Sequence, residues 1–90
     1  MKLKVFATYR DITKLKELEM DAPSTALDLL RLLARRYGPP MEKKIFTSEG
    51  DISADVILLV NGRNIKHLED GATPLSDEDT VSLFPMVAGG

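Results

Sequence analysis

Thr80-Val81-Ser82-Leu83-Phe84-Pro85-Met86-Val87-Ala88-Gly89-Gly90 closes the chain, and the reading of this stretch decides the fold. Thr80 to Val87 is predicted as a final strand, and the two glycines follow it with no polar linker between. At an average Gly usage of about 7%, a chance Gly-Gly at this place is expected in roughly one chain in two hundred. Here the pair is launched from an apolar strand, so the tail issues from a core rather than from a disordered extension. Residues 1–87 are expected to form one domain, and 88–90 a flexible tail that presents an unhindered carboxylate.

Working back from that strand, Val56-Ile57-Leu58-Leu59-Val60 is a continuous apolar run that reads as another strand. Asn61-Gly62 is a two-residue hairpin signal, because both residues tolerate positive φ. Asn64 to Leu68 is then the expected return strand, with turns at Asp70-Gly71 and Thr73-Pro74 and a polar connection over Ser76 to Asp79. At the other end, Lys2 to Tyr9 alternates, with Leu3, Val5 and Ala7 on one face and Lys2, Lys4, Phe6 and Thr8 on the other. Arg10 to Thr13 reads as a turn, and Lys14 to Asp21 as a second, weaker strand.

Between these regions Thr25 can cap a helix whose apolar residues Ala26, Leu27, Leu30, Leu33, Ala34 and Tyr37 recur at spacings of three and four. Gly38 supplies its stop and Pro39-Pro40 prevents its resumption. Residues 39–55 are not placed by any pattern. Met41 to Phe46 could make a short helical turn, with Ile45 or Phe46 capping the core. The order β-β-α-β-β-β, with one main helix against a mixed sheet of about five strands, is an α+β domain.

Composition limits the function classes. Ninety residues leave no room for a large enclosed active site. Twelve basic against fourteen acidic residues give a net charge of −2, too weak a field to hold nucleic acid. No apolar segment has the length of a membrane span, and Met1-Lys2-Leu3-Lys4 does not open a secretory signal, so a cytoplasmic location is expected. Cysteine is absent, which removes disulfides, thiolate metal sites and an internal thiol nucleophile. His67 has no Ser or Cys beside it and reads as surface, as do Asp77-Glu78-Asp79, so no metal site and no bound cofactor are expected.

Four stretches together resemble a known family: Lys4 to Asp11 (KVFATYRD), Thr25 to Leu30 (TALDLL), Val60 to Arg63 (VNGR) and Phe84 to Gly90 (FPMVAGG). They are similar to the small subunit of molybdopterin synthase, the MoaD family of sulfur carriers within the ubiquitin-like MoaD/ThiS group. The likeness is weak over 39–55, and Met86 stands where the family often has a second proline. The related thiamine sulfur carriers also end in Gly-Gly but usually lack the Phe-Pro approach. The resemblance implies a β-grasp, or ubiquitin-like, fold and a chain that carries rather than catalyses.

In that family an E1-like adenylating enzyme of the MoeB/ThiF type uses ATP to activate the terminal carboxylate, here that of Gly90. A sulfur donor then converts it to a thiocarboxylate, which gives its sulfur to the pterin precursor inside the MoaE-like large subunit of the synthase. Val87, Ala88, Gly89 and Gly90 would form the reactive tail, and from Met86 to Gly90 the reach is at most ~16–18 Å at about 3.3–3.6 Å per residue. Without side chains, Gly89 and Gly90 can thread a narrow channel. An alternative from a different class is a protein modifier joined through Gly90 to lysines of target proteins. A passive interaction domain, its Gly-Gly incidental, is the third reading.

In a β-grasp the first and last strands are neighbours, so alternation places Phe6 and Phe84 together on the outward face beside the tail. They are expected to form a docking patch, with Ile65 and Met86 as further members and Arg10, Arg63 and Lys66 as a basic rim.

Overall fold

The structure is a computed structural model and describes residues 1–86. The expectations placed on Val87, Ala88, Gly89 and Gly90 therefore lie outside the described residues. Five strands form one sheet: β1 (Lys2–Val5), β2 (Glu17–Glu19), β3 (Val56–Val60), β4 (Arg63–Asn64) and β5 (Thr80–Pro85), in the spatial order β2-β1-β5-β3-β4. β1 runs parallel to β5, while β2 on β1, β3 on β5 and β4 on β3 are antiparallel. Three helices, α1 (Thr8–Thr13), α2 (Ala26–Tyr37) and α3 (Pro39–Ile45), complete the α+β arrangement.

The alternation in the strands sorts the sheet into two faces. Leu3, Val5, Val56, Leu58, Val60, Val81 and Leu83 join Leu29, Leu30 and Leu33 of α2 and Met41 and Ile45 of α3 in one core. Thr25 caps α2 as its sequence predicts, its hydroxyl accepting the Asp28 N–H at 3.2 Å. The apolar stripe of α2 buries Ala26, Leu30, Leu33 and Ala34 as expected, but Leu29 is fully buried where Leu27 was expected, and Leu27 is half-exposed.

Several expectations need correction. The first strand ends at Val5 rather than Tyr9, because Ala7 takes φ 53 and ψ −126 and turns the chain out of the sheet. The predicted turn at 10–13 is instead helical, and Tyr9 reaches the core from α1. The two prolines do not merely stop α2. Gly38, at φ 77, reverses the chain, and Pro39 and Pro40 occupy the opening turn of α3, where a missing N–H costs nothing. α3 buries Met41 and Ile45, so the unplaced segment supplies part of the core.

The hairpin after β3 turns through Asn61 at φ 52 and Gly62 at φ 85, the two positive values that its sequence predicts. Its return strand is only two residues long, because the chain winds into a 3-10 turn over Ile65–His67. Asn61 is more than a turn residue. Its side-chain oxygen accepts from the Thr80 N–H at 2.9 Å and its amide donates to Asp79 Oδ1 at 2.8 Å, which fixes the start of β5. Asp77 is likewise engaged, accepting from the Ala22 N–H at 2.8 Å.

Candidate functional site: the open sheet face and the root of the tail

The face of the sheet away from α2 divides into a polar and an apolar half. On the polar side, Lys2 faces Glu19 and Thr80, and Lys4 faces Glu17 and Ser82. Lys2 Nζ also reaches Glu17 at 3.6 Å across exposed side chains. Farther along the same strands, toward the end of β5, the face turns apolar.

Phe6 and Phe84 are stacked there, ring centroids 4.2 Å apart and planes within 6°. Two backbone facts produce this contact. The Phe6 N–H donates to the Leu83 carbonyl at 3.2 Å, extending the β1–β5 register by one residue before Ala7 diverts the chain. Leu83 itself is buried, so Phe84 faces outward by alternation. The Arg10 guanidinium lies over the Phe6 ring, 5.8 Å from its centroid and within cation–π range.

Two members of this surface were missed in the sequence. Ile57 lies directly opposite Phe84 on β3, and Leu59 lies opposite Ser82, both half-exposed on the same face. Their signal was available: a strand apolar at every position, in a sheet with helices on one side only, must show apolar side chains on the other. Met86, 54% exposed, ends the surface where β5 stops.

Two expected members do not belong. Ile65 is 1% exposed and packs into the core, because the 3-10 turn that replaces the return strand rotates it inward. Arg63 pairs with Val60, three residues along β3 from the Ile57–Phe84 pair, which is about 10 Å at ~3.4 Å per residue. It borders the hairpin rather than the aromatic stack. Lys66 is also elsewhere, paired with Asp70 at 3.3 Å.

Behind the apolar patch, at the root of the tail, lies a recess of about 450 Å³ walled by Thr8 and Tyr9 of α1, Lys43 and Lys44 of α3, Asp55, and Met86. The Met86 N–H donates to the Asp55 carbonyl at 2.8 Å, fixing the direction in which the chain leaves the sheet. Burial, and secondarily the negative charge of Asp55, push the Tyr9 hydroxyl up to about 12. Among the described residues no three His, Asp or Glu side chains converge as a metal site, and no helix is long and apolar enough to cross a membrane.

Comparison with known proteins agrees with this architecture. The model of the ThiS family matches residues 3–90. Small archaeal modifier protein 3 of Haloferax volcanii is 38% identical over 92 aligned residues, which span 100% of this chain and 98% of that protein. The solution structure of small archaeal modifier protein 1 from Methanosarcina acetivorans superposes with a TM-score of 0.80 at 32% identity, covering 99% of this chain and 94% of that one. A Pyrococcus furiosus structure provisionally described as subunit 1 of molybdopterin converting factor gives 0.72 at 32% identity, covering 96% and 95%. A β-grasp sheet that carries its last strand into Phe84-Pro85-Met86, together with a family match over nearly the whole length, places the chain in the ThiS family of ubiquitin-like proteins, the group to which MoaD-like chains also belong.

Proposed function

We propose that this chain is a sulfur carrier for molybdopterin synthesis, working through the carboxylate of Gly90. A carboxylate is a poor electrophile at neutral pH, so one oxygen must first become a leaving group. An E1-like enzyme joins that oxygen to the α-phosphate of ATP and releases pyrophosphate. A sulfur nucleophile from a donor then attacks the acyl carbon and expels AMP, leaving a thiocarboxylate. The large synthase subunit finally directs that sulfur to the pterin precursor. The chain's own contribution is to present the terminus and to dock, so it is a carrier subunit with catalytic residues supplied by its partners.

The observation that carries this reading is the Phe6–Phe84 stack with Ile57 alongside, an apolar surface at the end of the strand from which the tail departs. Half-exposed aromatic side chains in contact are poorly accounted for by folding alone and well suited to a protein interface. Arg10 adds a charged rim at the same place.

A second reading is favoured by a specific relative, the modifier protein of Haloferax volcanii matched over the full length. In it, a lysine amine of a target protein takes the place of sulfur, expelling AMP to form an amide with Gly90. Both readings share activation and diverge only at the nucleophile. The test is a chain lacking Gly90, returned to a host deleted for the native gene. Loss of molybdoenzyme activity with retained folding is expected, and restoration of that activity by the truncated chain would overturn the carrier reading.

A further inference from the structure

The recess at the tail root is not used by the apolar docking surface, and its chemistry is different. Tyr9 is only 1% exposed, yet its hydroxyl forms no hydrogen bond with the described residues. Every sealed side-chain nitrogen and oxygen among those residues has a partner, so this hydroxyl is not fully sealed, and Tyr9 is part of the recess wall. Lys43 and Lys44 are exposed at the same wall, and the ion pairs among the described residues involve neither. Among the described residues that line the recess, Asp55 supplies the one opposing charge. Two cations and a protonated hydroxyl against one carboxylate make the recess a net acceptor of negative charge.

The backbone at this corner is also held away from its relaxed form. Ala7, between the aromatic patch and the recess, lies at φ 53 and ψ −126, a region that only glycine enters readily. Such a residue persists where the surrounding structure over-determines it, and here it sends Phe6 to the open face and Tyr9 into the recess. Met86, the last described residue, is one wall of the recess, so the recess lies beside the point where the described chain ends.

We propose that this recess receives an Asp or Glu side chain of the protein that takes up the tail, with Lys43 and Lys44 supplying charge and the Tyr9 hydroxyl donating one hydrogen bond. The proposal rests on the carrier or modifier reading above, since both require a protein to engage the tail. The apolar patch supplies the non-specific share of docking, and the recess fixes the partner's position relative to the departing chain.

The test uses the full chain with the E1-like enzyme of the same organism and ATP. Carbodiimide coupling, which joins a carboxylate to a nearby amine, is expected to link Lys43 or Lys44 to an Asp or Glu of the enzyme. K43E/K44E should raise Kd about tenfold and flatten its salt dependence. Tyr9→Phe, which keeps the packing, should raise Kd by about tenfold for a lost hydrogen bond to a charged group. Links through other lysines alone, or an unchanged Kd for K43E/K44E, would overturn the proposal. Adenylation of the wild-type chain, read in the same mixture, separates the two failures. Absent adenylation refutes the activation reading and this proposal with it, whereas adenylation beside an unaffected K43E/K44E refutes the recess alone.

Discussion

Replacing Phe84 with alanine separates docking from folding, because the side chain sits on the outer face of a sheet whose core lies on the other. A fully buried Phe→Ala change costs about 3–5 kcal/mol, part of which is the cavity left behind. Phe84 is half-exposed, so water fills the vacated space and the cavity contribution disappears. What remains is about half of a ~1.5–3 kcal/mol transfer contribution and the ~0.5–1.5 kcal/mol of the stack on Phe6. A loss of about 1–3 kcal/mol follows. For a domain of this size that lowers Tm by roughly 4–8 °C per kcal/mol, leaving the chain folded at room temperature.

Binding should suffer more. An aromatic anchor at the centre of an interface commonly contributes 2 kcal/mol or more, so Kd for the activating enzyme should rise by about 30-fold or beyond. The neighbouring Leu83→Ala variant provides the opposite pattern, since Leu83 is fully buried against the helices. It should lose about 2–5 kcal/mol of stability while the folded fraction binds normally. Denaturant melts and calorimetric titrations on both variants measure the two quantities. If Phe84→Ala bound with unchanged affinity, or cost as much stability as Leu83→Ala, the assignment of this face to docking would be wrong.

Three further outcomes are expected. Tyr9 holds its proton to about pH 12 in the native state, whereas an unfolded tyrosine loses it near 10. Between these values the unfolded chain binds fewer protons, so stability falls as pH rises, by up to about 2–3 kcal/mol. Tyr9→Phe should flatten that fall and remove a late tyrosinate absorbance step, and a step near pH 10 from Tyr9 would contradict this environment. Ala7→Gly should relieve about 1–3 kcal/mol of backbone strain against a ~0.5–1 kcal/mol entropic cost, giving a net gain visible in urea unfolding. A clear loss would show that Ala7 is not strained. Thr25→Ala should cost about 1 kcal/mol by removing the cap on the Asp28 N–H, and an unchanged Tm would contradict the role given to that hydroxyl.

Legibility followed the kind of signal each segment carries. The capped helix at 26–37, the strand at 56–60 and the Asn61-Gly62 turn rest on local periodicity or turn chemistry, while the pairing of the first and last strands came from the β-grasp resemblance, and the structure places all four as expected. The stack of Phe6 on Phe84 was reachable from alternation once the resemblance had made the first and last strands neighbours. α1 was not legible, because nothing in Phe6-Ala7-Thr8-Tyr9 announces a positive φ at an alanine, and without that break the alternation continues unopposed. α3 was legible only in part: the sequence allows a short helical turn at 41–46 with Ile45 or Phe46 on the core, but its start at Pro39 was hidden, because the prolines read equally as a stop or as the opening turn of a new helix. Ile65 was misplaced for a related reason: a two-residue return strand and a full one share the same turn, and only the later 3-10 winding turns the side chain inward. The tail-root recess draws on α1, which was unread, on α3, which was read only in part, and on the loop before β3, so it had no counterpart in the sequence.

The central claim, that the carboxylate of Gly90 is the working group of this chain, is tested most directly by intact mass of the protein purified from its native host, together with a search for lysine adducts. The account predicts exchange of one oxygen for sulfur at the terminus, with no such exchange in a chain ending at Gly89. A Gly-Gly remnant on lysines of other proteins would assign the same terminus to modification instead. An unmodified carboxylate throughout, in cells actively making molybdoenzymes and with no lysine adducts, would contradict the claim.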